Sequence, residues 1–142
     1  MTNDDIIKRL NQNKPEFLNR FNCEILSVDP IKGTCHMEFN VSEQYCHSGN
    51  IIQGGFVTAM LDAVSSHAIF VTSADITNVS TMELKVSFYA PSLAGRYTAI
   101  GRIEKAGYKT AFLSAELIND EGTPTAALSA TSKIIRRPDA TY

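Results

Sequence analysis

The residues best suited to chemistry lie in one short segment, in which two glycines precede a single carboxylate. Gly54 and Gly55 open a predicted helix, and Asp62 is the only charged residue between positions 51 and 74 when histidine is counted as neutral. A carboxylate buried without partners is costly, whereas the free N–H groups at a helix start stabilise an anion. The segment therefore combines an anion-stabilising helix start with a carboxylate that can act as a base, which suggests acyl-transfer chemistry.

Length and charge limit the remaining possibilities. A chain of 142 residues with 44% hydrophobic residues fits one domain spanning residues 1–142, with a helical segment at 1–22 and a polar, frayed tail at 136–142. The net charge is -2 and no basic stripe is present, which argues against nucleic-acid binding. The N-terminus lacks the apolar core of a signal peptide, and the longest apolar run is interrupted by polar residues, so we expect no membrane partner.

The cysteines indicate a reducing compartment, and the lack of cofactor motifs indicates a site without a bound cofactor. Cys23, Cys35 and Cys46 are odd in number and show no metal-binding spacing, so we expect free thiols and a cytoplasmic location. Small buried hydrophobes are the main interpretation of these residues, and a catalytic cysteine is the lesser alternative. No metal is predicted, and no dinucleotide or phosphate-loop motif appears.

Hydrophobic periodicity predicts the elements that must position this segment. We expect a short helix capped by Asp4 or Asp5, a second helix over 15–21, strands over 23–28 and 34–39, and a polar loop over 41–52. The central helix is predicted over 54–71, followed by strands over 78–89, 95–104, 109–118 and 124–135. Short turns between consecutive strands imply an antiparallel sheet.

The central helix sets the predicted architecture, because a helix that is apolar nearly all round must be wrapped by other elements. We therefore predict an α+β arrangement, in which a curved antiparallel sheet folds around one long central helix and short helices precede it. One such sheet leaves an open edge and an apolar flank, so pairing with a second copy is expected.

This layout resembles the hotdog fold, and its motifs resemble those of the PaaI-like acyl-CoA thioesterases. In that family an Asn and a Gly precede His-Gly-Gly or Gln-Gly-Gly, and an acidic residue follows on the helix. Gln53 with its two glycines matches the glutamine version, and Asp62 has the family spacing from Gly54. The runs 81–88, ending before Pro91, and 121–127 are similar as well, but His47 stands where the family has Asn, and Asn50 where it has Gly.

The resemblance implies hydrolysis of an acyl-CoA thioester to a carboxylic acid and CoA, without a cofactor other than the CoA of the substrate. It assigns Asp62 as base or nucleophile, Gly54 as backbone donor to the oxyanion, and Gln53 as the amide that orients the carbonyl. Thr81, with Ser80 as the neighbouring alternative, is expected from a partner subunit and helps to place water. The protein is expected to be a homodimer or a dimer of dimers.

Several of these residues have simpler interpretations. Asp62 could accept a hydrogen bond within the helix from Thr58 or Ser66, which lie four residues before and after it. Gln53 could be a solvent-facing polar residue at the helix start. Candidate substrate contacts are Asn50, His47, Gly55, Lys105 and Lys109, with Arg102 beside the two lysines. Gly55 could instead serve tight helix–sheet packing, His47 could be a solvated loop residue, and the cations could be exposed strand charges that oppose aggregation.

Two other function classes stay open at this point. One is a hotdog protein that binds an acyl thioester without turning it over, against which a buried carboxylate argues. The other is a hotdog hydratase or dehydratase, which usually pairs a histidine with an acid, whereas no histidine lies between Gln53 and Asp62. The acyl group, and the choice between CoA and an acyl-carrier protein as carrier, are left open by the sequence.

Overall fold

The fold is built from one six-stranded antiparallel sheet and one long helix that lies across it. The computed structural model describes residues 1–138. In chain order the elements are α1 (Asn3–Asn13), α2 (Glu16–Asn19), β1 (Glu24–Asp29), β2 (Thr34–Val41), a 3-10 helix (Glu43–Tyr45), β3 (Cys46–Ser48), β4 (Ile51–Ile52), α3 (Gly54–Phe70), β5 (Ile76–Phe88), β6 (Gly95–Ala106), β7 (Thr110–Asn119) and β8 (Pro124–Arg136).

The sheet follows the order β1-β2-β6-β7-β8-β5, and every neighbouring pair is antiparallel. Helix α3 packs against five of the six strands. The predicted α+β arrangement of a sheet around a long central helix is therefore confirmed. The two edges differ, since β1 is covered by α1, whereas within residues 1–138 no strand pairs with the outer edge of β5. Asn11 of α1 exchanges hydrogen bonds with both the N–H and the carbonyl of Ile25 on β1, at 2.9 and 3.1 Å.

Alternation along the strands builds the core beneath α3. On β2 and β7 every second residue is buried, and these side chains meet the buried face of the helix. The helix contributes Val57, Met60, Leu61, Val64 and Ala68, which are at most 1% exposed. Its remaining flank is only half-buried and consists of Thr58, Ala59, Asp62, Ala63, Ser66 and Phe70. The helix is thus wrapped on one side and incompletely covered on the other.

The helix and the sheet approach each other closely at Gly101 on β6. A Cβ atom on Gly101 would lie 2.1 Å from the carbonyl oxygen of Val64 and 2.6 Å from its carbonyl carbon. Both atoms belong to the helix backbone, which cannot move aside without shifting α3. Glycine at this position therefore sets how closely the helix lies on the sheet.

Three local predictions are corrected. Thr2, not Asp4 or Asp5, caps α1, because its hydroxyl accepts from the Asp5 N–H while the Asp5 carboxylate accepts from the Thr2 N–H. The predicted loop over 41–52 contains the 3-10 helix and the short β3–β4 pair. The predicted tail begins too early, because Arg136 still belongs to β8, pairs with Asp75 at 3.1 Å and stacks on Tyr108. The last four residues of that tail lie outside the described residues.

We expect Gly101→Ala to lower the free energy of unfolding by about 3 kcal/mol or more, because its Cβ overlaps helix backbone and overpacking is costly. Gly107→Ala is the matched control, since its nearest neighbour to a Cβ is the Thr110 carbonyl oxygen at 3.9 Å. Urea unfolding followed by circular dichroism measures both variants. Equal stability of the Gly101 variant and wild type would contradict this account of helix placement.

Candidate active site

Asp62 and Thr81 are joined by a hydrogen bond within one chain. Asp62 lies on the half-buried flank of α3, and Thr81 lies on β5. The Thr81 hydroxyl donates to Asp62 Oδ1 at 2.7 Å. Within residues 1–138 no other group donates to this carboxylate, so its Oδ2 atom accepts no protein hydrogen bond. The carboxylate is thus held through one oxygen and available to a reactant through the other.

These contacts rule out one alternative for Asp62 and add to one prediction. Thr58 does not satisfy the carboxylate, because its hydroxyl donates to the Gly54 carbonyl at 2.8 Å. No hydrogen bond between Ser66 and Asp62 occurs in the described part of the chain. Thr81 was expected from a partner subunit to help place water; here its hydroxyl reaches Asp62 of its own chain, because β5 runs directly beside α3, and its place relative to a second subunit stays a prediction.

The start of α3 leaves one backbone donor free. Gln53 is the N-cap, and its Oε1 atom accepts from the Gly55 N–H at 2.7 Å. The N–H groups of Phe56 and Val57 donate to the Gln53 carbonyl at 2.9 and 3.3 Å. The Gly54 N–H has no acceptor among residues 1–138. Within the described residues, the first turn therefore presents a single unsatisfied N–H at the positive end of the helix, as an oxyanion donor requires.

The two glycines at the helix start have different reasons to be glycine. A Cβ on Gly54 would meet the Phe88 ring at 3.2 Å, so this backbone lies under an aromatic side chain at the end of β5. A Cβ on Gly55 would lie 2.7 Å from Gln53 Oε1. Gly55 is exposed, so the prediction of helix–sheet packing at this residue is wrong. Its lack of a side chain makes room for the Gln53 cap.

An open groove of about 400 Å³ lies beside the helix start. Its walls are mostly apolar and include Ile51, Val57, Phe88 and Pro91, and Gly54 lies within it. His47 also lines the groove and is exposed, with Nδ1 2.9 Å from the Ser48 hydroxyl. The sequence did not predict that Phe88 lies against Gly54. It marked Phe88 only as the apolar end of a strand that precedes Pro91.

Gly54 and Asp62 are too far apart to act on one carbonyl group within a single chain. They lie eight positions apart in the α-helix, which is about 12 Å along the axis. Reacting atoms must approach to about 3–3.5 Å, and an oxyanion donor lies about 3 Å from the oxygen that it stabilises. The expectation that a single segment supplies both groups to one site is therefore corrected by helix geometry.

The other predicted substrate contacts lie at the surface. The Asn50 side chain is exposed, while its carbonyl accepts from the Ala94 N–H at 2.8 Å. Lys105 and Lys109 flank the β6–β7 turn, are exposed, and donate no side-chain hydrogen bond within the described residues. Arg102 differs, since it pairs with Glu116 at 3.1 Å. A phosphate contact by the two lysines stays a prediction.

The cysteines and histidines lie apart from the Asp62–Thr81 pair. Burial raises the pKa of the Cys23 and Cys35 thiols to about 12, so both stay protonated at neutral pH, and Cys46 is a free half-buried thiol. Burial lowers the pKa of His67, whose Nδ1 lies 2.8 Å from the Ala63 carbonyl oxygen. Because Cys23 and Cys35 stay protonated, neither supplies an activated thiolate that could attack a substrate.

Neither a metal cluster nor a spanning helix occurs in the part of the chain that the structure describes. Over residues 1–138, no group of three or more His, Cys, Asp or Glu side chains is arranged to hold a metal ion. Over the same residues, no helix has the length and apolar character needed to cross a membrane.

Sequence comparison connects the chain to proteins of one kind. The family model described as "Thioesterase superfamily" matches residues 49–126. The chain is 28% identical over 96 residues to acyl-coenzyme A thioesterase 13 of Mus musculus, a match that covers 67% of this chain and 66% of the mouse protein. The chain spans between 50% and 66% of the length of the curated relatives that it matches.

Solved structures with the same fold cover nearly the whole chain. A phenylacetic acid degradation-related protein from Ralstonia eutropha JMP134 superposes with a TM-score of 0.82 at 26% identity, over 90% of this chain and 98% of its own. The PaaI protein of the E. coli phenylacetic acid degradation operon gives a TM-score of 0.82 at 17% identity, over 95% and 96% of the two chains. At 17% identity, the likeness to the PaaI protein shows a shared fold and nothing more.

Proposed function

The chain belongs to the thioesterase superfamily and has the hotdog fold of the PaaI-like thioesterases, and we propose that it hydrolyses acyl-CoA thioesters to a carboxylic acid and CoA. The observation that carries the proposal is the half-buried Asp62 carboxylate, which Thr81 holds through one oxygen and leaves free at the other. A protein that only binds its ligand has no need of such a group. The name of the mouse relative, an acyl-coenzyme A thioesterase, supports CoA as the carrier.

Two balanced routes use these groups. As a base, Asp62 takes a proton from water while the water oxygen attacks the carbonyl carbon, and the C–S bond then breaks as the leaving thiolate takes the proton. As a nucleophile, Asp62 attacks the carbon itself, the thiolate leaves, and water hydrolyses the resulting anhydride. In both routes the Gly54 N–H stabilises the oxyanion. Gln53 Oε1 already caps the helix, so the amide NH2 group is what remains to orient the carbonyl.

The reaction centre is proposed to form between two copies of the chain. One copy supplies the Gly54 N–H and the other supplies Asp62 with Thr81, which removes the separation of about 12 Å along one helix. A twofold axis would create two such sites, because it makes each contact occur twice.

The open edge of β5 supports pairing at this side of the molecule. An unpaired edge strand presents free N–H and C=O groups to a second chain. Met82, Leu84 and Phe88 on this strand are 56%, 36% and 53% exposed. The incompletely covered flank of α3 lies next to the same strand, since Asp62 on that flank bonds Thr81. A second copy at β5 would cover both surfaces.

Thiol release from a panel of aromatic and aliphatic acyl-CoAs tests the proposed function. We expect turnover by the wild type and a loss of about 10²–10⁴-fold in kcat for Asp62→Asn, since general-base catalysis contributes this much. Asn keeps the size of the side chain and its hydrogen bond to Thr81. Unchanged turnover in this variant would refute the role of Asp62, and acyl-CoA binding without thiol release by the wild type would identify a non-catalytic binder.

Gly54→Pro removes the proposed oxyanion donor without breaking the helix. Proline suits the first helical position, and Gln53 has φ -60° and ψ 135°, which a following proline accepts. We expect kcat to fall about 10²–10³-fold, as for loss of one oxyanion donor. Gly54→Ala is the matched control, because it crowds Phe88 similarly but keeps the N–H. Equal kcat losses in the two variants would assign the effect to crowding.

Mixing two inactive variants tests the shared site. Chains carrying Asp62→Asn are refolded or co-expressed with chains carrying Gly54→Pro in equal amounts. If each site takes one group from each copy, mixed dimers hold one intact site, and random pairing restores about a quarter of wild-type activity. Activity that stays at the level of the separate variants would show that one chain supplies both groups.

A further inference from the structure

One buried hydroxyl in the sheet lacks a hydrogen-bond partner. Among residues 1–138, the buried polar residues are Ser65, His67, Ser92, Thr125 and Ser132. The first four are paired: Ser65 donates to the Asp62 carbonyl, His67 lies against the Ala63 carbonyl, and Ser92 donates to Thr125. Ser132 is 0% exposed, and its Oγ atom has no partner in the described part of the chain. A buried hydroxyl left in this state is costly, which calls for an explanation.

The register of the sheet puts Ser132 next to Thr81. Ser132 on β8 lies opposite Thr81 on β5 and opposite Ala111 on β7. Directly opposed residues of antiparallel strands present their side chains on the same face, with Cβ atoms about 4.5–5.5 Å apart. Of these two opposed residues, only Thr81 has a polar side chain. The single hydroxyl proton of Thr81 is given to Asp62, so its oxygen retains the capacity to accept.

We propose that Ser132 is a positioning residue that acts on Asp62 through Thr81. Rotation of Ser132 to another staggered χ1 rotamer brings its Oγ towards Thr81 Oγ1, to which it donates. The result is a chain of donors from Ser132 to Thr81 to Asp62, in which each hydrogen bond strengthens the next. This chain fixes the direction of the Thr81 proton and holds the carboxylate with its second oxygen turned to the thioester.

The catalytic part of this inference rests on the proposed function, whereas the hydrogen bond between the two hydroxyls does not. An isolated unsatisfied hydroxyl would make Ser132→Ala neutral or stabilising. A hydroxyl that donates to Thr81 would make the same substitution destabilising, but only while Thr81 keeps its oxygen. The two possibilities therefore differ in sign before any substrate is added.

A double-mutant cycle on thermal stability tests the contact. The variants are Ser132→Ala, Thr81→Val and the double variant, with Ser129→Ala as control because Ser129 lies exposed on the same strand. We expect Ser132→Ala to lower the Tm in the wild-type background, and to leave it unchanged or raise it beside Thr81→Val, where the Ser132 hydroxyl has no acceptor. A Tm that stays the same or rises in the wild-type background, or that falls equally in both backgrounds, would overturn the proposal.

The same four variants are then assayed for thiol release. We expect Ser132→Ala to lower kcat about two- to tenfold, the range of one neutral hydrogen bond, with KM unchanged and no further loss beside Thr81→Val. A fall in kcat that persists without Thr81 would overturn the positioning role. If the wild type releases no thiol, the proposed function fails, and the stability cycle alone decides whether Ser132 contacts Thr81.

Discussion

The close contact between α3 and the sheet at Gly101 is the constraint on which the other features depend. A side chain there would collide with the backbone of Val64, so the helix lies against β6 at a distance that only glycine permits. At that distance a side chain as short as aspartate reaches β5, where Thr81 binds Asp62 at 2.7 Å. A helix held farther from the sheet would leave the half-buried carboxylate without Thr81, the one group of residues 1–138 that donates to it, which is costly.

The helix start obeys a second constraint, which is that every N–H of the first turn needs an acceptor. Gln53 supplies two of its oxygens to this turn and satisfies the N–H groups of residues 55–57, whereas the Gly54 N–H has no acceptor in the part of the chain that the structure describes. Gln53 therefore caps the start of α3 without occupying the Gly54 N–H, which is the donor that the proposed reaction needs. The Phe88 ring beside Gly54 adds an apolar wall at this donor, and electrostatic stabilisation gains strength where water is excluded.

Local patterns predicted the elements well because their signals lie within a few residues of one another. The helix predicted over 54–71 is observed as Gly54–Phe70, and the four strands after it differ at their ends by two residues or fewer. Contacts between distant segments escaped prediction, among them the ion pair of Arg136 with Asp75 and the bond of Thr81 to Asp62 in the same chain. No sequence signal links the two partners of either contact, since the pairing of β5 with β8 brings Asp75 to Arg136 and the packing of α3 against β5 brings Asp62 to Thr81.

The assignment of Gly54 and Asp62 of one chain to the same site could have been avoided at the sequence level. The number of positions between two residues of a helix already gives their distance along its axis. Eight residues of helix amount to about 12 Å, whereas one thioester carbonyl needs donor and base within about 3–3.5 Å of its own atoms. A single rigid helix cannot meet both requirements, so the two groups belong to different sites if both are used. Among residues 1–138 no strand pairs with the free edge of β5, and the flank of α3 beside it is half-buried, so these are the surfaces at which we propose that a second copy brings the missing group. Under this proposal association and catalysis are parts of one requirement, since the surface that a second copy would cover is also the surface at which each site is completed.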